Sequence, residues 1–343
     1  MSNGYVPAIE VTRGDTTESV HWAAAAVVDH TGRLIAALGS PDLEIFSRSS
    51  LKPFQALPTV MRGFPDQFKL ENRHLALVCA SHSGEDRHVK AAHEILDAIG
   101  ATVADLRCGV HVPLWCKLSN DGTPPVSQFT AIHNNCSGKH AGMLALAKII
   151  GTPFETYLEP DSPVQKLIRA RVAAMLALEE SEMRFGIDGC SVPNYVVPLR
   201  NLAYGYARLS ASVGPKPARD EECFDGCRRI VTAMRQHPEM VSGEGRFDLD
   251  LARGTRGRMF SKAGGEAVEC VGIPEKGWGV AVKIADGGSR AVGPTVVGIL
   301  SQLGLLSDEE LDALDAYVHP ILRNHRRIAI GTMRMVAKLE ISH

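Results

Sequence analysis

Arg48-Ser49-Ser50-Leu51-Lys52-Pro53 is the stretch on which the reading of this chain turns. It spells S-x-x-K, and Pro53 directly after it suits the first turn of a helix, where a missing N–H costs nothing. Ser49 and Lys52 then share one face. A serine hydroxyl is a weak nucleophile until a base takes its proton. A lysine amine serves as that base once burial or neighbouring cations lower its pKa. Arg48 supplies part of such a positive field. Taken alone, the same spacing equally describes an N-cap serine beside a solvated lysine.

Outward from this segment the pattern changes sharply. Upstream, Ser19 to Val28 is apolar and β-compatible, Asp29-His30-Thr31-Gly32 is a turn signal, and Arg33 to Leu38 resumes the apolar run, which predicts a hairpin. Downstream, 89–99, 141–150, 164–178 and 202–210 carry apolar residues at helical spacing between Gly or Pro stops. Strands return at Val268–Ile273 and Trp278–Ile284, joined by Pro274-Glu275-Lys276-Gly277, before closing helices over 293–303 and 308–318. Strands from both ends with helices between them predict an α+β fold. A sheet lobe from about 1–48 and 255–343 faces a helical lobe from about 49–254, with a cleft at the seam.

The composition bounds the chemistry. The 343 residues are 45% hydrophobic, enough for a large core. With 37 basic against 39 acidic residues there is no cationic excess to hold a phosphate backbone, so the expected partner is a small molecule and not a nucleic acid. Met1-Ser2-Asn3-Gly4-Tyr5 lacks the basic flank and apolar run of a signal peptide, and no apolar stretch of about 18 residues occurs. A cytoplasmic location without a membrane partner is the expectation. The eight cysteines are too sparse for a disulfide framework and are expected to be mostly reduced core residues.

Two further segments raise S-x-x-K above coincidence. Ser81-His82-Ser83 follows an apolar run, and Lys262-Ala263-Gly264 precedes a strand-like one. They fall where serine β-lactamases and penicillin-binding proteins carry S-D-N and K-T-G. His82, Ser83 and Ala263 depart from those motifs, which counts against a β-lactam or D-Ala-D-Ala substrate. Pairing Ser81 with Lys262 would add a second dyad to Ser49 with Lys52. The plainer fates are a loop hydrogen bond for Ser81 and a surface cation for Lys262.

The densest polar stretch, His133-Asn134-Asn135-Cys136-Ser137-Gly138-Lys139-His140, opens a helix and so delivers side chains to a site. Gly189-Cys190-Ser191 is a second turn with a cysteine, and Cys136 and Cys190 could share a metal. Spacing alone argues against zinc, since neither C-x-x-C nor H-x-x-x-H is present and structural zinc takes four ligands. Cys223 and Cys227 read as one helical face.

Taken together, Arg48-Ser49-Ser50-Leu51-Lys52-Pro53-Phe54-Gln55-Ala56, Ala80-Ser81-His82-Ser83-Gly84-Glu85, Asn135-Cys136-Ser137-Gly138-Lys139-His140-Ala141-Gly142, Asp188-Gly189-Cys190 and Lys262-Ala263-Gly264-Gly265-Glu266 resemble the rhizobial-type (class 3, thermolabile-type) L-asparaginases over most of the chain. The resemblance implies a serine-β-lactamase-like fold, a homodimer, and hydrolysis of L-asparagine to L-aspartate and ammonia. It implies tandem dyads, Ser49 with Lys52 and Ser81 with Lys262, and a zinc ion held by Cys136, Lys139 and Cys190, with no organic cofactor. Arg48, Asp188 and His140 lie inside the matching segments and are expected on the substrate side. Arg13-Gly14-Asp15 is a further substrate-side candidate. Rival readings are a β-lactamase- or transpeptidase-like serine hydrolase and a non-catalytic ligand or zinc sensor.

Overall fold

The computed structural model describes residues 4–118, 124–215 and 223–342. Residues 1–3 of the N-terminal stretch read above lie outside them. The strands are β1 (Val6–Arg13), β2 (Thr16–Asp29), β3 (Leu34–Leu38), β4 (Glu44–Phe46), β5 (Phe185–Ile187), β6 (Pro193–Pro198), β7 (Phe260–Gly264), β8 (Val268–Ile273), β9 (Trp278–Ile284), β10 (Ile321–Arg323), β11 (Ala329–Met335) and β12 (Glu340–Ile341). The helices are α1 (Lys52–Val60), α2 (Asn72–Val78), α3 (Asp86–Ile99), α4 (Leu114–Leu118), α5 (Ser137–Ile150), α6 (Pro163–Leu176), α7 (Leu199–Ala211), α8 (Phe224–Gln236), α9 (Pro238–Val241), α10 (Phe247–Gly254), α11 (Val292–Gln302), α12 (Asp308–Ala313) and α13 (Asp315–Val318).

The main sheet is antiparallel and runs β10-β11-β1-β2-β9-β8-β7, with β3 on β2 and β12 on β3. Its pivot is β2. Thr16–Ala23 pair with β1, Ala25–Val28 with β3 on the same edge, and Ala23–Asp29 with β9 on the other. The run Ala23-Ala24-Ala25-Ala26-Val27-Val28 is buried throughout, because both faces of the sheet are covered. Ala24, Ala26 and Val28 join the core of the helical lobe, while Ala23, Ala25 and Val27 join a second core with α11. Small side chains let the helices lie close. At Gly279 on β9 a Cβ would overlap the Ala203 carbonyl oxygen of α7.

The α+β architecture expected from the sequence is the one observed, with both predicted hairpins and the helices at 86–99, 137–150, 163–176 and 199–211. Three differences stand out. The helix read over 308–318 divides into α12 and α13 at Leu314, which leaves helical geometry to bury its side chain against Gly254. Strand β1 and the C-terminal strands β10 to β12 carry no strong apolar run, since much of their length is half-exposed or exposed. Strands β4, β6 and β5 form a separate small sheet, and Phe46 on it lines a second cavity together with Asp188.

Candidate active site

The sheet ends at β7, and its free edge faces the 3-10 turn Arg48–Leu51 that leads into α1. A Cβ at Gly264 would come within 2.9 Å of the Ser47 carbonyl, so this approach requires glycine. Between turn and strand lies a cavity of about 400 Å3 whose wall includes Arg48, Ser49, Ser81, Cys136, Asp188, Cys190 and the segment Ala263–Gly265. The three segments singled out from sequence therefore converge. Lys52, Lys139 and Lys262 are buried just behind this wall.

Backbone strain presents Ser49. Arg48 has φ +53, in the left-handed region that a bulky side chain enters only when its surroundings hold it there. Two contacts do so. The Arg48 N–H donates to Asn194 Oδ1 at 2.8 Å, and Arg48 Nε donates to Asp188 Oδ1 at 2.7 Å. Burial alone would raise the Asp188 pKa, but Lys139 and Arg48 more than offset it and hold the carboxyl below its ordinary value. The result is an ion pair at the cavity wall.

Lys52 meets Ser81 and not Ser49. At 1% exposure, Lys52 Nζ lies 2.9 Å from Ser81 Oγ and 3.2 Å from Cys136 Sγ, and donates to the Ala80 carbonyl. As the first residue of α1, Lys52 sends its side chain away from the 3-10 turn that carries Ser49. Desolvation lowers its pKa, and Lys139 adds to that, against the pull of Cys136 and Cys190. A neutral amine in this place donates to the carbonyl and the sulfur and keeps its lone pair for the Ser81 O–H. Ser49, half-buried, bonds to none of the described side chains.

Lys262 donates to the Ala263 carbonyl at 2.7 Å, and no hydrogen bond links it to Ser81. Burial lowers its pKa to about 8, with Lys52 and Arg246 acting the same way against Asp248. Arg246, which sequence reasoning missed, reaches the cavity and donates to the Ser81 carbonyl. His111 was missed too; its Nε2 accepts from the Asn135 N–H at 3.0 Å. Both come from loops without a motif, so only their charge could have marked them.

The sulfur cluster is compact. Lys139 Nζ lies 2.9 Å from Cys190 Sγ, and the Cys190 thiol hydrogen-bonds Cys136. That bond, reinforced by Lys52 and Lys139 against desolvation, holds Cys136 well below the ordinary thiol value. The two cysteines share one negative charge between two amines. Among the described residues no group of three His, Cys, Asp or Glu side chains could hold a metal, and this set reaches three donors only through Lys139.

His140 lies behind the wall, not on it. Fully buried, its Nδ1 sits 2.7 Å from Tyr157 Oη, and burial followed by Lys139 keeps it neutral against a contact with the Cys190 backbone. Arg13 ends β1 and pairs with Glu18 at 2.9 Å, Asp15 lies in the β1–β2 turn, and both are outside the cavity lining.

The profile of the L-asparaginase II family matches residues 9–335. The chain belongs to the L-asparaginase II family. No curated protein matches it. Among solved structures it is similar to Mglu in its glutamate form, with 18% identity and a TM-score of 0.36 over 82% of this chain and 61% of that one. In the native form with 4.3 M NaCl, Mglu aligns with 17% identity and a TM-score of 0.38 over 84% and 63%. A provisionally named beta-lactamase from Bacteroides dorei DSM 17855 aligns with 12% identity and a TM-score of 0.36 over 87% and 95%. The chain thus spans less than two thirds of the Mglu chain. In this L-asparaginase II family member the fold is serine-β-lactamase-like: S-x-x-K opens a helix beside the terminal sheet strand, and that strand carries K-x-G. No helix among the described residues is long and apolar enough to cross a membrane.

Proposed function

We propose that this asparaginase-family hydrolase converts L-asparagine to L-aspartate and ammonia through a serine nucleophile served by a buried lysine. The observation that carries the reading is the Lys52–Ser81 contact of 2.9 Å at a cavity walled by Arg48 and Asp188. Those two charges take the substrate α-carboxylate and α-ammonium, which turns the side-chain amide toward the serines. Ser49 attacks the amide carbon, and its proton passes to Ser81 as Ser81 gives its own to Lys52. The Ser49 N–H at the start of the turn stabilises the oxyanion. The proton returns to the leaving nitrogen, ammonia departs, and water hydrolyses the acyl-enzyme along the same relay. Lys262, low enough in pKa to be partly neutral near pH 8, serves the proton path from the other side.

Cys136, Cys190 and Lys139 fit a zinc ion, being soft sulfur and nitrogen donors that are buried and already in mutual contact. Bound there, zinc supplies Lewis-acid anchoring of a substrate oxygen. Lys139 must lose its proton to ligate, although the neighbouring thiols raise its pKa despite burial. Binding therefore releases the Lys139 proton and the one left on the two thiols, and weakens as pH falls.

A second reading, in which Ser81 attacks, is favoured by the same 2.9 Å contact. Ammonia release measured with asparagine and glutamine, together with loss of the ring absorbance of a β-lactam, tests the function. Turnover of asparagine supports it, whereas opening of the β-lactam without amide turnover would replace it with a β-lactamase-like activity. A homodimer in a cytoplasmic setting completes the proposal, with light scattering on the purified protein and fractionation as its checks.

A further inference from the structure

Two carboxyl groups packed beside Lys262 have no part in the proton relay above. Asp248, in the first turn of α10, accepts through one oxygen from Ser261 Oγ at 3.0 Å and from the Ala263 N–H at 2.9 Å. It therefore grips β7 on both sides of Lys262. Glu269 on β8 is the cross-strand partner of Ala263, and its side chain hydrogen-bonds Asp248. Asp248 is 4% exposed and Glu269 1%. Along β8, Val-Glu-Cys-Val-Gly-Ile, every residue is buried and Glu269 is the one charged type.

A carboxyl held in such a place keeps its proton unless something pays its desolvation. Burial, then the adjacent Asp248 charge, push Glu269 well above the carboxylate range, against Lys262 and Arg246. Glu269 is thus the donor in its bond to Asp248, and its Oε1 has no other partner. Every other element facing Lys262 works in a known direction. Lys52 from α1 and Arg246 before α10 favour the neutral amine, while the thiols of Cys79 and Cys270 are kept protonated by burial.

We propose that Asp248 and Glu269, sharing one proton, are positioning residues: the pair fixes β7 and places a single negative charge that sets how readily Lys262 exchanges its proton during amide hydrolysis. This rests on the assignment of Lys262 to the proton path. Both arms of the test use the full chain. One follows the 13Cε resonance of Lys262 against pH in protein labelled with 13C-lysine, assigned by its loss in Lys262→Arg. The other follows kcat/KM for asparagine over the same range.

Asp248→Asn removes an anion that favours the ammonium, so the Lys262 midpoint falls by about one unit or more and the acid limb of kcat/KM moves down with it. Glu269→Gln exchanges one neutral group for another and leaves both where they were. A folded Asp248→Asn protein with an unmoved midpoint overturns the proposal, as does a Glu269→Gln shift equal to that of Asp248→Asn. Where Asp248→Asn does not fold, Glu269→Leu strips the proton donor from the Asp248 charge and the midpoint rises; a fall there overturns the proposal. A midpoint that moves while kcat/KM does not overturns the role in hydrolysis, and locates the failure in the assignment of Lys262 rather than in the carboxyl pair.

Discussion

Replacing Lys52 with methionine removes the base while keeping a flexible side chain of similar length in a site that is 1% exposed. A positioned general base contributes about 10²–10⁴-fold, which is roughly 3–5 kcal/mol of transition-state stabilisation. The structural cost is smaller. The Ala80 carbonyl loses its donor, at about 1–3 kcal/mol, and the methionine escapes the desolvation that lowers the Lys52 pKa. The melting temperature should therefore stay within about 5 °C of the parent while kcat/KM for asparagine falls by at least about 100-fold. Lys52→Arg separates base from charge, because it sets a permanent cation beside Cys136 that cannot accept the Ser81 proton. It should be as inactive as Lys52→Met. Ammonia release under steady-state conditions reads both variants. A folded Lys52→Met protein with more than about a tenth of the parent kcat/KM would refute Lys52 as the base.

Because Lys262 sits near 8 and must be neutral to accept a proton, kcat/KM should rise with pH through about 8 and then level; a profile flat from pH 6 to 9 contradicts this. Asp188→Asn breaks the charge-assisted contact at 2.7 Å and should raise KM by about 10-fold or more with a smaller change in kcat, read by steady-state kinetics. Cys190→Ala should abolish stoichiometric zinc in metal analysis, and zinc affinity of the parent should weaken from pH 8 to 6 as Lys139 holds its proton. Gly279→Ala forces a methyl into the Ala203 carbonyl and should destabilise by about 1–3 kcal/mol or more in urea unfolding without touching the cavity.

Much of this architecture is written in local patterns. The unbroken apolar run across Ala23–Val28 and the stops around the helices are short-range signals, and they place S-x-x-K and K-x-G on opposite sides of a seam. What the sequence hides is long-range. Nothing in the spacing of Ser49, Lys52 and Ser81 tells that the Lys52 amine bonds Ser81, since that depends on where α1 sits against the loop after α2. His140 reads as a site residue through its neighbours in sequence, yet helical rotation turns it to Tyr157. Glu269 did leave a trace, as the lone acid in an otherwise apolar strand, while Asp248 is indistinguishable from an ordinary first-turn acid until Ser261 and Ala263 are seen to bond it.

The central claim is that Ser49 forms an acyl-enzyme under the care of Lys52. Acid-quenching the protein during asparagine turnover and mapping the modified peptide by mass spectrometry tests it directly. The account predicts one aspartyl group on Ser49, absent from Ser49→Ala. An aspartyl group on Ser81, or turnover by Ser49→Ala at the parent rate, would contradict it.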